Sequence, residues 1–350
     1  MTKTLLITAA ALVLCSGSCL AYGSGTDGAQ FMSINPGVIS SGMGGSGMAT
    51  GMGGESIFLN PASLYLSFNK KQVIYSHINW FEDVSCEYVS YLQGIKKIGV
   101  FGIGWTYLHL PDIIITNRFG IPDSQAGSAN VSDNLFCLSY ANRLGKNIFI
   151  GTNLKGVLRV LDSVAAPGLA MDLGFLYYGR QRSGGGTGDY YDLSGGIMIR
   201  NLLATRICFN DYSNADKILP VLKAGLGYKP LKEITLALDL DVRTDRTVIF
   251  HLGAGFRVSK NIELRAGYES NDDLGESSGL CAGFSFFPSK KLTYTYGQDS
   301  KTTAFDFQVD YAMRFSGEMG LVHRVATKMN FEGRKGARKR KEKAESSNGN

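Results

Sequence analysis

Glu233-Ile234-Thr235-Leu236-Ala237-Leu238-Asp239-Leu240-Asp241-Val242 decides the fold. Ile234, Leu236, Leu238, Leu240 and Val242 form one row, and Glu233, Thr235, Ala237, Asp239 and Asp241 the other. Successive strand side chains point to opposite faces, so this segment is a strand with one apolar and one polar face. The pattern recurs on both sides of it. Ile262, Leu264, Ala266 and Tyr268 oppose Asn261, Glu263, Arg265 and Gly267. Phe305, Phe307, Val309, Tyr311 and Met313 oppose Asp306, Gln308, Asp310, Ala312 and Arg314.

A soluble β-sandwich alternates too, but two details point elsewhere. The non-lipid rows are poor in side chains, as at Gly102, Gly104 and Thr106, at Gly225 and Gly227, and at Gly253 and Gly255. Glycine weakens a solvated strand face, whereas a crowded interior has room for it. The apolar rows quoted above carry no charge, as a lipid face requires, because Lys or Arg at the bilayer midplane costs roughly 2–4 kcal/mol. Aromatics close alternate segments at one level: Tyr140, Tyr177, Tyr228, Phe256, Phe286 and Phe331. An apolar band ended by an aromatic girdle predicts a transmembrane antiparallel β-barrel.

About fourteen strands are predicted, near residues 72–80, 85–94, 98–108, 132–142, 147–160, 168–179, 190–200, 219–229, 233–243, 248–258, 261–270, 277–287, 304–314 and 320–331. The first two alternate poorly. Connections after even-numbered strands are mostly short, and those on the other side include 109–131 and 201–218, the expected asymmetry of periplasmic turns and outer loops. The stretch 288–303 breaks it, and Leu292, Tyr294 and Tyr296 read there as a strand extension or an extra hairpin.

Residues 1–21 read as a secretory signal peptide, with Lys3, an apolar core Leu5 to Leu14 and a small-x-small site at Cys19-Leu20-Ala21. Residues 22–69 are too apolar for a free tail and too rich in glycine for a strand, and they are expected to fold as a plug inside a barrel at 70–331. Asn60 suits a helix N-cap and Pro61 the first helical position. Residues 332–350 carry seven Lys/Arg against three Glu, a large share of the net charge of +6, and are expected to form a disordered basic tail. The tail is a candidate contact for anionic lipid or a periplasmic partner. Export argues against nucleic acid.

No chemistry of an enzyme is legible. The four histidines lack metal-ligand spacing, no nucleophile elbow is present, and the glycine run lacks a phosphate-loop ending. No cofactor is expected. Cys86, Cys137, Cys208 and Cys281 read as small fillers on strands.

Gly42-Met43-Gly44-Gly45 followed by Asn60-Pro61-Ala62-Ser63-Leu64 resembles the N-terminal signature of PorV/PorQ-type outer-membrane proteins, part of the wider FadL-type group and close to its uncharacterised spirochaete branch. Val309-Asp310-Tyr311-Ala312 and Gly320-Leu321-Val322-His323-Arg324-Val325 resemble its last hairpin. The resemblance implies a fourteen-stranded barrel with an N-terminal hatch. It implies passive passage of hydrophobic molecules, fatty acids above all, or alternatively a non-transporting role as a secretion partner or surface-interaction protein. The long 288–303 stretch and the basic tail depart from the pattern.

Candidate residues follow. Asn60, Pro61 and Ala62 are the expected hatch element. Lys155, Asp172, Lys223, Asp239, Arg265 and Arg324 are the expected ligand-path residues facing the lumen, where Asp241, Asp306, Asp310, Arg257 and Lys328 also point. The plainer reading of this set is a ladder of paired charges filling the interior, because buried charges need partners. Both chain termini are expected on the periplasmic side of the outer membrane.

Overall fold

The computed structural model describes residues 28–51, 53–122, 127–182, 190–209, 215–243, 247–270, 279–288, 292–296, 301–317 and 320–334. The expected signal peptide, residues 1–21, and almost all of the basic tail lie outside the described residues. Fourteen long strands close into an antiparallel barrel. They are β1 (Lys71–Asn79), β2 (Ser85–Ile95), β3 (Gly99–His109), β4 (Val131–Arg143), β5 (Ile148–Leu161), β6 (Val164–Arg182), β7 (Tyr190–Ala204), β8 (Val221–Lys229), β9 (Ile234–Arg243), β10 (Ile249–Arg257), β11 (Ile262–Glu269), β12 (Leu280–Phe286), β13 (Lys301–Phe315) and β14 (Leu321–Arg334). Each pairs with its sequence neighbour, and β14 returns to β1 in register Phe331↔Lys71 to His323↔Asn79, so the sheet has no open edge along this seam. Closure is what lets a sheet cross lipid, since no backbone group is left unpaired.

Within the 288–303 stretch, the described residues Leu292–Tyr296 form an extra strand. Leu292–Tyr296 pairs with the first residues of β13, Leu292↔Phe305 to Tyr296↔Lys301, beyond the point where β12 ends. One irregularity interrupts the wall. Between Met171 and Leu173 the β6–β7 register shifts, and Asn201 adopts φ of 54°. The Asp172 carboxylate takes the place of the missing ladder partner by accepting from Asn201 N at 2.9 Å.

The outward rows are apolar and exposed: Ile103, Phe136, Leu138, Leu154, Leu226, Leu236, Leu252 and Leu264 all lie on this face. Such a belt around a closed sheet would drive aggregation in water and suits hydrocarbon. Tyr177, Tyr228, Phe256 and Phe286 point outward at the short-turn end, at the level the aromatic row predicts.

The inside is filled by residues 28–68, arranged as short helices Gln30–Ser33, Val38–Gly42, Gly53–Glu55, Ser56–Leu59 and Pro61–Ser67. Its side chains are almost all buried. One flank is apolar: Phe31, Met32, Ile57, Phe58 and Leu64 pack with Ile74, Ile78, Tyr88, Leu92, Val100, Leu135 and Val157 of β1 to β5. Each such side chain contributes about 1.5–3 kcal/mol when fully buried. The other flank meets the wall backbone to backbone. At Gly267 of β11 a side chain would overlap Met43 and Gly44, and Gly44 itself has φ of +70° with its Cα against β11. Gly253 and Gly283 lie against Met43 and Gly42, and Gly151 against Pro61 and Ala62. The glycines on the inward rows are therefore seats for the buried segment.

The segment runs the full height of the lumen. Gly28 lies at the loop end, where its N–H donates to Lys217 O at 2.8 Å. Gly54 N donates to Gln72 Oε1 at 2.8 Å near the turn end. Gly28, the first described residue, is thus at the loop end, while β14 ends at the turn end beside Lys71. The sequence carries no sign of this direction, because the contacts that fix it join residues far apart in the chain.

Candidate functional site

Inward positions near the loop ends of the strands carry the basic residues Arg159, Arg200, Arg243 and Arg324. The alternation that places lipid-facing leucines outside also turns these inside. Arg159 Nη1 donates to Gly28 O at 2.6 Å and Arg243 Nη1 to Ser33 Oγ at 2.6 Å. Arg200 donates to Met32 O, and Arg324 to Asn35 O. Four strands thus fasten residues 28–35 across the loop end of the lumen. Charge-assisted hydrogen bonds of this kind are the stronger ones. The Arg324 guanidinium also lies 5.5 Å from the centre of the Trp80 ring, within cation–π range.

Between these residues and the wall is a cavity of about 490 Å³. One side is apolar, formed by Phe31, Ile34, Phe58, Trp80, Phe81, Leu108 and Val322. The other is charged, formed by Asp133, Arg200, Lys223, Asp241, Arg243, His251, Glu269, Arg314 and Arg324. Lys223 pairs with Asp241 at 3.0 Å and Arg314 with Glu269 at 3.0 Å. His251 Nδ1 lies 2.8 Å from Gly44 O, which can only accept, so this nitrogen carries the proton. Basic groups outnumber acidic ones on this side. The chemistry of the lining therefore suits a molecule with an apolar body and a polar or anionic end.

Of the six expected ligand-path residues, Lys223 and Arg324 line the cavity. The other four are engaged below or beside it. Lys155 Nζ lies 2.6 Å from the Asp172 carboxylate, both fully buried, and Asn153 Nδ2 donates to Asp172 at 2.8 Å and to Ile57 O at 2.8 Å. Asp239 accepts from Gly47 N at 2.8 Å and Met48 N at 2.9 Å. Arg265 pairs with Glu263 at 2.9 Å and donates to Ser285 Oγ at 2.6 Å. These groups tie the buried segment to the wall or brace the wall itself. Asp310 and Lys328 are buried, Asp306 is half-buried, and Arg257 is exposed at the turn end, where it pairs with Glu263 at 2.9 Å.

Asn60, Pro61 and Ala62 do not line the cavity, although Phe58 and Leu59 directly before them do. Asn60 Oδ1 accepts from Ala62 N at 3.1 Å, capping the 3₁₀ helix Pro61–Ser67, and Asn60 Nδ2 donates to Phe175 O of β6 at 3.1 Å. One amide thus caps its own helix and anchors it to the barrel.

Arg314 stands on a polar row legible in sequence, whereas Arg200, Arg243 and Glu269 were not singled out although their parity marks them as inward. They stand at or near strand ends, where alternation fades into loop. Trp80 closes the first predicted strand, 72–80, but lies just past the observed one, which ends at Asn79, and Phe81 falls in the connection between β1 and β2.

Among the described residues no group of three His, Cys, Asp or Glu could hold a metal ion, and Cys86, Cys137, Cys208 and Cys281 are unpaired. No protein-family model matches the chain, and no curated protein matches it in sequence. Among solved structures it is similar to the Ralstonia pickettii toluene transporter TbuX, with a TM-score of 0.49, 14% identity and coverage of 86% of this chain and 98% of that one. It is similar to the Pseudomonas putida toluene transporter TodX, with a TM-score of 0.47, 13% identity and coverage of 89% and 98%. A Pseudomonas aeruginosa FadL homologue follows, with a TM-score of 0.43, 8% identity and coverage of 85% and 97%.

Proposed function

We propose that this chain is an outer-membrane channel for the passive passage of hydrophobic small molecules bearing a polar or anionic end, long-chain fatty acids first among them. The observation that supports this most is the cavity at the loop end, with aromatic and aliphatic side chains facing a basic wall across about 490 Å³. A ligand would lay its apolar body against Phe31, Trp80 and Phe81 and its charged end toward Lys223, Arg314 or Arg324. Below that point residues 36–67 occupy the lumen, so passage requires them to shift. In this reading the element Asn60, Pro61 and Ala62 is the hatch, a short helix start seated against Gly151 and hydrogen-bonded to the wall through Asn60 Nδ2 and Phe175 O.

The test is uptake of a labelled long-chain fatty acid by liposomes holding the purified protein. Uptake above empty vesicles, reduced by Lys223→Gln with Arg324→Gln, is the expected result. Uptake no greater than in empty vesicles would overturn the reading. It would favour the second one, a non-transporting secretion partner, for which the paired charges Lys155–Asp172 and Arg265–Glu263 inside the barrel speak.

A further inference from the structure

The short turns repeat one composition. In the β2–β3 turn, Lys96 and Lys97 are exposed and are flanked by Ile98, which is 50% exposed. The β4–β5 turn has exposed Lys146 with Leu144 at 64% exposure. The β8–β9 turn has exposed Lys232 with Leu231 at 50%, and the β10–β11 turn exposed Lys260 with Val258 at 54%. Lys71 adds an exposed amine at the start of β1. None of these lysines forms an ion pair among the described residues. A single exposed aliphatic side chain is ordinary, but four described turns that each pair one with lysine form a pattern.

The opposite end differs. Its exposed charges among the described residues include Glu82, Asp83, Asp112, Asp162 and Asp216 against Arg118, Arg206 and Lys217. Exposed aliphatics such as Ile113, Ile114 and Ile121 occur there too, so it is the excess of basic residues that belongs to the turn end. The turn tips stand two to four residues past the girdle aromatics Tyr140, Tyr228 and Phe256. At roughly 3.3 Å per residue along a tilted strand, that is about 5–9 Å beyond the girdle, the depth of lipid headgroups.

We propose that this rim is a binding surface for anionic phospholipid headgroups of the leaflet at the turn end, with the aliphatic tips seated in the interface and the lysines on lipid phosphates. Lysine stems lie along apolar surface while their amines reach for charge, and basic residues at a membrane surface attract anionic lipid. The distribution favours lipid over a protein partner. The basic tips run from β1 to β11, more than half the circumference, whereas a docked protein needs a patch on one side. The inference is independent of what crosses the lumen.

The test uses the full chain in phosphatidylcholine vesicles with spin-labelled phosphatidylglycerol or spin-labelled phosphatidylcholine as probe, reading the motionally restricted fraction. Phosphatidylglycerol should be favoured roughly threefold or more at low salt, and ~0.5 M salt should remove most of that preference. The variant carrying Lys96→Gln, Lys97→Gln, Lys146→Gln, Lys232→Gln and Lys260→Gln should show near-equal association while keeping the heat-modifiable migration of a folded barrel. Equal association of both lipids with the unaltered protein would overturn the proposal and needs no variant. So would an unchanged preference in the folded variant. Salt-sensitive binding of soluble polyglutamate without any lipid preference would overturn it in favour of an acidic protein partner.

Discussion

The barrel wall has two kinds of interior. From β1 to β5 the inward side chains include Ile74, Ile78, Tyr88, Leu92, Val100 and Leu135, which meet an apolar flank of the buried segment, with the charged Asp133, Lys155 and Arg159 on β4 and β5. From β8 to β13 they are Lys223, Asp239, Asp241, His251, Arg265 and Asp310, interleaved with glycines that meet backbone. The first half holds its cargo by dispersion and water exclusion. The second holds it by close approach and hydrogen bonds. An apolar contact tolerates some repacking, whereas a backbone seat fails with one added methyl group.

The sharpest way to break this contrast is Gly267→Val. The new side chain would collide with Met43 and Gly44, so residues 42–50 should leave the wall. In planar bilayers the variant should show steady conductance where the unaltered protein is closed. An unaltered closed state would remove the idea of backbone seats. Next is Ile57→Ala in the apolar half, where the residue is fully buried. A cavity of this kind costs about 2–5 kcal/mol, expected as a lower denaturant midpoint for protection of residues 28–68 in hydrogen exchange. Asp239→Ala, which removes the acceptor for Gly47 and Met48, should cost about 1.5–3 kcal/mol and raise exchange locally at those two amides.

The smallest effect is a pH dependence. Glu55 is buried in the segment, and burial pushes its carboxyl above the ordinary 4.5, although Ile39 N–H and Ser40 N–H donate to it. A raised folded value means the docked state is favoured fully below the ordinary value and loses that stabilisation as pH rises through the raised one. Exchange protection of residues 38–42 should therefore weaken with rising pH, and Glu55→Gln should flatten the profile. A profile identical in both proteins would show that Glu55 does not titrate with docking.

The same contrast explains what could be read from sequence. β9, predicted at 233–243 and observed at Ile234–Arg243, alternates cleanly because its interior is polar. β1 and β2 alternate poorly because Ile74, Ile78, Tyr88 and Leu92 are apolar and inward, so both faces look greasy. Lys223 and Arg324 were legible as cavity residues by parity. Arg200 and Arg243 were not, because they sit where strand becomes loop. The crossing of residues 28–35 under four arginines was beyond reach, since Arg324 and Asn35 lie 289 positions apart and no local periodicity encodes such a contact.

One feature of the architecture bears on biogenesis. Residues 28–68 are joined to β1 at the turn end yet reach the loop end, and the β1–β14 seam joins the first strand to the last. A tethered chain that spans a closed tube has to be in place before the tube shuts, or be threaded through afterwards past the collar of arginines. In the first case zipping of that seam encloses the segment, and the strands close around a filling already present.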